Sequence, residues 1–205
     1  MAMKFARRIQ KELTAIESEK KVTGINITLC GDGHDLSHMC ATIEGPVGTP
    51  YEGGVFEIDI RLPEDYPYNP PKMQFKTKVW HPNISSQTGA ICLDILKDQW
   101  SAALTLKTTL ISLQALLSAP EPNDPQDAMV AQQYLNDYQA FLNTARSWTA
   151  TFAKLETLGM EEKVQRLAEM GFPLDLVRAA LQKCGGDENM ALENLCSGWH
   201  RTMSF

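Results

Sequence analysis

The sequence predicts an α+β domain followed by a small all-α domain, and three observations support this prediction. An amphipathic helical pattern opens the chain, four segments of alternating polarity follow between residues 25 and 76, and helical patterns recur after residue 105. Strands joined by short connections usually pair with their sequence neighbours. We therefore expect an N-terminal helix, a four-stranded antiparallel meander with one face packed on a helix, and C-terminal helices.

The first element is an amphipathic helix predicted over residues 2–18. Its apolar side chains recur at spacings of three and four, which places them on one face of a helix. They are Phe5, Ile9, Leu13 and Ile16. The basic side chains that fall on the other side are Lys4, Arg7, Arg8 and Lys11. A basic N-terminal segment on an acidic chain indicates an acidic protein partner, although a solvated helix face would carry the same charges.

Alternation of apolar and polar residues predicts the four strands, over residues 25–29, 39–43, 56–62 and 72–76. The proline-rich segment 63–71 separates the third strand from the fourth. Its prolines predict either a rigid surface shelf or an ordinary turn between strands. The Tyr66–Pro67 bond in this segment could be cis.

A long irregular loop is predicted from Trp80 to Trp100. Pro82 and Gly89 prevent a long regular element there, yet tryptophans stand at both ends and apolar residues lie between them. Ordered loops of this length are usually functional. Cys92 stands in the middle of this loop, so its thiol is either a nucleophile or a small buried side chain.

Helices are predicted after the loop, over residues 106–117 with Thr105 as N-cap, and over about 127–136 and 138–157. The composition changes near residues 157–159. Three short helical patterns follow, over residues 161–169, 174–183 and 188–195, the last with Asp187 as N-cap. We therefore divide the chain into a domain of residues 1–157 and a small three-helix domain of residues 161–199.

Composition excludes several classes of protein. The net charge of −6 argues against general nucleic-acid binding, and no apolar run is long enough to span a membrane. The five cysteines form no C-x-x-C pair, so neither a zinc site nor a redox motif is expected. Reduced thiols fit the cytosol or the nucleus. We expect no cofactor and no bound metal.

The loop and the segment before it resemble the active-site signature of ubiquitin-conjugating enzymes. The matching residues are Pro63, Tyr66, Pro67, Pro70 and Pro71, then His81-Pro82-Asn83, then Cys92 with Leu93-Asp94-Ile95-Leu96, then Trp100. The resemblance covers roughly residues 1–155 and implies the ubiquitin-conjugating (UBC) fold. It also implies that the protein is a transferase.

The end of the chain resembles a ubiquitin-associated (UBA) domain. Met170-Gly171-Phe172 matches the binding loop of that domain, and Leu192 and Leu195 stand where its last helix offers apolar residues. The resemblance implies that these five residues bind ubiquitin, but the same side chains could form the core of the small domain. Conjugating enzymes with this tail are a subgroup that builds polyubiquitin chains.

The resemblance implies a role for each residue of the loop. Cys92 would accept ubiquitin as a thioester from an activating enzyme, and a substrate lysine would then attack. Asn83 would donate to the oxyanion or shape the loop. Asp124 would orient the incoming lysine and accept its proton, or form a turn before Pro125. His81 and Pro82 would be structural, with a catalytic base as the minor alternative for His81.

Partner surfaces follow from the same resemblance. The activating enzyme would bind Lys4, Arg7, Arg8 and Lys11. Ubiquitin ligases would bind around Tyr68, Trp100 and Ala102. Ala102 stands where relatives often have Ser-Pro-Ala, which leaves the choice of ligase open. We expect a monomer whose partners are ubiquitin, the activating enzyme, ligases and substrate proteins with lysines, and neither nucleic acid nor membranes.

Two other functions stay open at this point. Cysteine, histidine and asparagine also form a protease set, which would make the protein a cysteine hydrolase. Against this, His81 and Asn83 lie two residues apart, whereas triad members normally come from separate elements. The third candidate is a ubiquitin-binding adaptor without activity, but inactive relatives lose the cysteine that this chain keeps as Cys92.

Overall fold

The computed structural model describes residues 5–30, 35–154, 163–184 and 187–202, with the side chains of the last segment described to residue 196. The chain forms two compact units, Met1–Lys154 and Leu155–Phe205. The predicted domain limits at residues 157 and 161 fall outside the described residues, so they stay predictions. The predicted α+β class is confirmed.

The first unit contains four helices, four strands and one short 3₁₀ turn among its described residues. They are α1 (Ala6–Thr23), β1 (Ile25–Leu29), β2 (His38–Glu44), β3 (Val55–Arg61), β4 (Lys72–Phe75), the 3₁₀ turn Asp94–Leu96, α2 (Leu106–Ser118), α3 (Ala128–Asn136) and α4 (Tyr138–Phe152). The strands lie in the order β1-β2-β3-β4 and every pair is antiparallel, which confirms the meander.

One face of this sheet forms the core of the first unit. Its side chains come from alternate positions, so that Ile43 pairs with Ile25 on one side and with Phe56 on the other. The apolar side of α2, from Leu106 to Leu117, joins the same buried cluster. The other face carries polar side chains such as Glu57 and Asp59, as strand alternation predicts.

One of the basic side chains that the sequence placed on the outer side of α1 is not fully exposed to solvent. Arg7 and Lys11 are exposed, whereas Arg8 is half-buried: its guanidinium donates to Glu12 Oε1 at 2.8 Å and to the Leu104 carbonyl at 2.8 Å. Arg8 turns inward because the Glu12 carboxylate is buried and needs partners. Lys4 lies outside the described residues.

The helix α1 is also longer than the sequence predicted at its C-terminal end. It continues to Thr23 because the residues after 18 are mostly Glu and Lys, which favour helix. Gly24 ends it in a left-handed conformation with φ of 64°, and its N–H bonds to the Lys20 carbonyl.

The proline-rich segment before β4 contains the cis Tyr66–Pro67 bond. Tyr66 is buried and its hydroxyl donates to Glu12 Oε2 at 2.8 Å. Tyr68 is 67% exposed, and its ring meets the edge of Phe5 with ring centres 5.6 Å apart.

One predicted boundary of the later helices was wrong. The last helix of the unit ends at Phe152 rather than at residue 157, because the Ala153 carbonyl accepts from Val55 N of β3 at 2.7 Å. The helix α3 buries Val130 and Ala131, whereas Met129 is 61% exposed. Thr105 caps α2 as predicted, within a capping box with Thr108.

In the part of the second unit that the structure describes, three helices form a small bundle. They are α5 (residues 163–169), α6 (Leu174–Lys183) and α7 (Glu188–Thr202). The buried side chains that form its core are Val164, Leu167, Val177, Leu181, Ala191 and Leu195. Asp187 accepts from Met190 N at 3.0 Å at the start of α7, as predicted for its N-cap. None of the described helices is both long and apolar enough to cross a membrane.

Candidate active site

The loop from residue 80 to residue 100 is fixed to the fold at both ends by its tryptophans. Trp80 Nε1 donates to Gln133 Oε1 at 2.7 Å, and the Trp80 carbonyl accepts from the Tyr51 hydroxyl at 2.7 Å. Trp100 Nε1 donates to the Pro67 carbonyl at 2.9 Å. An irregular segment of this length is therefore held by α3, by the 46–54 loop and by the proline-rich segment.

Gly89 fixes the middle of the loop against β4. Its φ is 74°, and a Cβ there would lie 1.9 Å from the Phe75 carbonyl oxygen. Phe75 N in turn donates to the Gly89 carbonyl at 2.9 Å. Only glycine permits this close approach, so the turn seen in the sequence has a packing reason as well as a conformational one.

His81 is completely buried and both of its ring nitrogens have backbone partners. Nδ1 accepts from Asn83 N at 3.0 Å, so Nε2 carries the proton and donates to the Leu116 carbonyl at 2.9 Å. Burial lowers the pKa of His81 to about 4, against the opposing effect of the bond to Leu116. The uncharged ring therefore connects the loop to α2 through its hydrogen bonds.

Asn83 bonds to the segment that carries Asp124. Its side-chain Nδ2 donates to the Glu121 and Asp124 carbonyls, each at 2.9 Å, and its Oδ1 accepts from Glu121 N at 2.8 Å. A primary amide has two N–H groups, and both have acceptors in this structure. The Asn83 carbonyl accepts from Cys92 N at 2.9 Å, so this residue connects Cys92 with residues 121–124.

A second set of bonds joins the same two segments. The Pro82 carbonyl accepts from Gln126 N and Asp127 N, each at 2.9 Å. Asp127 Oδ2 accepts from Ser86 N at 3.0 Å and from Ser86 Oγ at 2.6 Å. Burial would raise the pKa of Asp127, but these bonds from Ser86 lower it overall. The position of Asp124 relative to Cys92 is therefore strongly determined.

Cys92 is half-buried and its sulfur lies between two charged side chains. Lys97 Nζ is 3.2 Å from Cys92 Sγ, and Asp124 Oδ2 is 3.7 Å from it. The interaction with Cys92 raises the pKa of Lys97. The sequence showed Lys97 only as the nearest base along the chain. Its contact depends on the 3₁₀ turn Asp94–Leu96, which brings residue 97 back to residue 92.

A groove of about 520 Å³ opens beside Cys92. Its walls are the active-site loop, the exposed side of α2 and the segment before α3. The lining residues are Asn83, Cys92, Leu93, Asp94, Ile95, Ser112, Ala115, Leu116, Ala119, Glu121 and Asp124. A cysteine at the edge of a groove with a carboxylate across from it can carry an acyl group and receive an attacking amine.

The other cysteine environments differ from that of Cys92. Burial, with the neighbouring Cys40, raises the pKa of Cys30 to about 12, which disfavours its thiolate. The two histidines whose side chains the structure describes bond elsewhere: His38 to Asp59 at 2.6 Å and His81 to Leu116. Neither of them forms the cysteine–histidine pair that a hydrolase would use.

The residues expected at the ligase surface lie around the proline-rich segment. Tyr68 is exposed, and Trp100 bonds to Pro67 and packs against Tyr66 with ring centres 6.0 Å apart. Ala102 is half-exposed in the turn that precedes α2. Phe5 at the start of α1 contacts Tyr68, so this surface adjoins the helix of the basic residues.

The residues expected to bind ubiquitin differ in exposure. Met170 is 61% exposed, and Gly171 has φ of 97° at the turn between α5 and α6. Phe172 and Leu192 are partly buried against the core of the second unit. Leu195 is only 7% exposed and belongs to that core, because it packs with Ala191. The accessible part of the expected ubiquitin-binding surface therefore consists of Met170 and the exposed atoms of Phe172 and Leu192.

Comparison with known proteins agrees with this geometry. The sequence model of the family described as "Ubiquitin-conjugating enzyme" matches residues 8–149, and one described as "Ucp12-like, UBA domain" matches residues 153–197. Ubiquitin-conjugating enzyme E2 27 of Arabidopsis thaliana is 64% identical over 93% of this chain and 97% of its own length. Ubiquitin-conjugating enzyme E2 K of Homo sapiens is 46% identical over 96% of this chain and 100% of its own length.

Two solved structures are also similar. The E2 domain of a Toxoplasma gondii ubiquitin conjugating enzyme has a TM-score of 0.68 and 55% identity, and covers 72% of this chain and 98% of its own. A putative ubiquitin conjugating enzyme from Plasmodium yoelii has a TM-score of 0.70 and 53% identity, and covers 75% of this chain and 98% of its own. The chain belongs to the ubiquitin-conjugating enzymes, transferases that carry ubiquitin as a cysteine thioester.

Proposed function

We propose that Cys92 is the cysteine that carries ubiquitin. The observation that supports this most is the position of its sulfur, at the edge of the groove and between Lys97 and Asp124. The Cys92 thiolate attacks the thioester carbonyl of ubiquitin on the activating enzyme, and the thiolate of that enzyme leaves. Because the acyl group arrives already activated, the site needs no histidine base.

Lys97 would favour the reactive form of this sulfur. An ammonium group 3.2 Å from Sγ stabilises the thiolate, which is both the acceptor for the acyl group and the leaving group in the next step. The side chain is exposed, so the effect is modest and weakens with salt. Lys97 therefore assists the cysteine rather than determining its reactivity.

Asp124 would receive the attacking lysine. The lysine must lose a proton before its amine can attack the thioester carbonyl, and a carboxylate 3.7 Å from the sulfur can orient the ammonium and accept that proton. The amine then forms the isopeptide bond while the Cys92 thiolate leaves. The half-buried groove gives the incoming side chain a path to the carbonyl.

Asn83 would act chiefly by holding Asp124 in place. Both of its amide N–H groups are bonded to carbonyls of residues 121 and 124, so contact with an oxyanion would require one of these bonds to break. The oxyanion role from the sequence is thus the second candidate. In either case, loss of Asn83 should affect the attack by lysine more than the loading of Cys92.

The tail would bind ubiquitin and so favour chain building. Met170 offers an exposed apolar side chain beside Gly171, at the turn where a UBA domain has its binding loop. A second, weak ubiquitin contact in the same chain raises the effective concentration of a growing ubiquitin polymer. We therefore propose that the product is polyubiquitin on lysines of substrate proteins.

The remaining partner surfaces stay proposals. Arg7 and Lys11 are exposed on α1 and would meet the activating enzyme. Arg8 would contribute indirectly, because its bond to Glu12 helps to position the helix. Ligases would use exposed Tyr68 together with Trp100 and Ala102.

A loading assay tests the central proposal. The protein is incubated with ubiquitin, activating enzyme and ATP, and the adduct is examined with and without thiol reductant. We expect a reductant-sensitive adduct that is lost in Cys92→Ala and kept in Cys196→Ala, which removes another accessible thiol. An adduct that persists in Cys92→Ala, or cleavage of a ubiquitin fusion in place of loading, would reject the proposal.

A further inference from the structure

The outer face of the sheet carries a cluster of sulfur and oxygen ligands away from the residues that line the Cys92 groove. Cys40 and Asp59 are directly opposite each other on β2 and β3. Cys30 follows β1, and its N–H bonds to the His38 carbonyl, which places it diagonally across from Cys40. The two Sγ atoms and a carboxylate oxygen of Asp59 all lie within 4.8 Å of one another.

This grouping could not be read from the sequence. Zinc motifs are usually recognised from cysteines two to four residues apart, whereas these ligands are separated by ten and nineteen positions. The antiparallel register of three strands brings them together, and all three side chains are only partly buried. A metal ion would therefore have access from solvent.

The geometry fits a bridging ion better than a direct sulfur–sulfur bond. Diagonal neighbours on antiparallel strands have Cα atoms about 7–8 Å apart, which exceeds the range of about 4.4–6.8 Å that disulfides span. Tetrahedral zinc with Zn–S bonds of about 2.3 Å separates its two sulfurs by about 3.8 Å. Sulfurs and an oxygen already within 4.8 Å need only a small movement to reach such positions.

The neighbouring side chains suit a zinc ion bound by two thiolates and a carboxylate. His38 Nε2 is 2.6 Å from Asp59 Oδ1, and Arg61 Nε donates to Asp59 Oδ2 at 3.1 Å. These bonds orient Asp59 and leave it further lone pairs. Lys76 Nζ lies 3.3 Å from Cys40 Sγ and also pairs with Glu57 Oε1 at 2.7 Å, so it offsets part of the excess negative charge of the complex.

We propose that Cys30, Cys40 and Asp59 bind one Zn²⁺ ion on the outer face of the sheet, with a water molecule as the fourth ligand. The ion joins β1, β2 and β3. Since β1 lies at the edge of the sheet that the described residues form, the ion would fasten it to the rest of the sheet. This proposal does not depend on the role proposed for Cys92.

The test uses the full-length protein, freed of metal by a chelator under reducing conditions and titrated with Co²⁺ and then with Zn²⁺. We expect one equivalent of Co²⁺ to give a thiolate-to-cobalt charge-transfer band and the visible bands of a tetrahedral site, with displacement by Zn²⁺. Cys40→Ser should weaken binding by about tenfold or more, and Cys30→Ser and Asp59→Asn should also weaken it. Zinc should raise the melting temperature of the wild-type protein but not that of Cys40→Ser.

Matched controls are Cys92→Ala and Cys196→Ala, which remove thiols outside the cluster and should keep both the stoichiometry and the bands. The proposal is overturned if the charge-transfer band is absent in the wild-type protein. It is equally overturned if the band disappears in Cys92→Ala and persists in Cys30→Ser and Cys40→Ser.

Discussion

His81 stays uncharged in the folded protein because its ring is buried and its two nitrogens already have backbone partners. The pKa of His81 is about 4 in the folded chain, whereas an unfolded histidine titrates near about 6.5. The unfolded state therefore binds an extra proton between these two pH values. The stability that the neutral ring contributes is complete above pH 6.5 and is lost as the pH falls toward 4.

We predict that this residue lowers the free energy of unfolding by about 2 kcal/mol between pH 7 and pH 5. Urea unfolding at both values measures the change, and His81→Gln should show a smaller drop than the wild-type protein. Should that variant fail to fold, an NMR titration of the His81 ring serves instead. A ring that titrates near 6.5 in the folded protein would show the account to be wrong.

Lys97 gives a second prediction for a single residue. Replacing it with methionine removes the ammonium beside Cys92 Sγ and should slow loading by at most about fivefold near neutral pH, since exposed charge pairs contribute no more than about 1 kcal/mol. Added salt should bring the wild-type rate toward that of the variant, because salt screens an exposed charge pair. Lys97→Arg is the matched control and should load nearly normally. A difference in loading rate between the wild-type protein and Lys97→Met that salt does not reduce would contradict the role.

At the scale of residues, the sequence motif identified the site but not its contacts. The spacing of His81, Asn83 and Cys92 was enough to select the loop. The two bonds from Asn83 to the Glu121 and Asp124 carbonyls were not predictable, because they join segments 38 and 41 positions apart through a conformation that only the folded loop defines. For the same reason, the spacing of five positions between Cys92 and Lys97 gave no indication that their side chains are in contact.

Three elements of the first unit meet at the buried carboxylate of Glu12. It accepts from Arg8 on its own helix, from the Tyr66 hydroxyl in the proline-rich segment and from Leu106 N at the start of α2, each at 2.8 Å. These bonds compensate for the removal of the charge from water. Glu12 thus joins α1 to both segments that flank the expected ligase surface.

We predict that Glu12→Ala lowers the free energy of unfolding by about 3 kcal/mol or more, because it leaves three buried or half-buried donors without an acceptor. Glu17→Ala on the exposed side of α1 is the control and should change stability by less than about 0.5 kcal/mol. Urea unfolding at neutral pH measures both. Similar losses in the two variants would mean that Glu12 has no special part in joining these elements.

At the scale of elements, alternation and periodicity predicted which strands and helices exist, and tertiary contacts decided where several of them end. The strand β3 appeared as Val55–Arg61 because alternate apolar side chains match a sheet with one buried face. The end of α4 at Phe152 was missed because it depends on Val55 N, nearly a hundred positions away. Arg8 was misplaced because helical periodicity cannot show that Glu12 is buried.

For the whole molecule, the second unit supplies the ubiquitin contact in our account. We predict that Met170→Ala weakens non-covalent ubiquitin binding by the full chain severalfold and leaves Cys92 loading unchanged, since Met170 is exposed in the second unit. Val22→Ala is the control, because Val22 is 89% exposed on α1. Binding can be measured by NMR titration of labelled ubiquitin in a Cys92→Ala background.

Unchanged binding in Met170→Ala would reject this surface. Phe172→Ala should also weaken binding, but Phe172 packs on the core, so its variant requires a melting curve to separate lost contact from lost stability. Shorter ubiquitin chains from a normally loaded Met170→Ala enzyme would support the proposed role of the tail in chain building.

The central claim is that one sulfur accepts ubiquitin while Asn83 and Asp124 serve the attack by lysine. Single-turnover discharge tests it most directly: Cys92 is loaded, the activating enzyme is stopped, and loss of the thioester to free lysine is followed in time. Asn83→Ala and Asp124→Ala should load almost normally but discharge more slowly, by about 10²-fold for Asn83→Ala, because Asp124 then loses its position. Loading that falls as much as discharge, or discharge at the wild-type rate, would contradict the account.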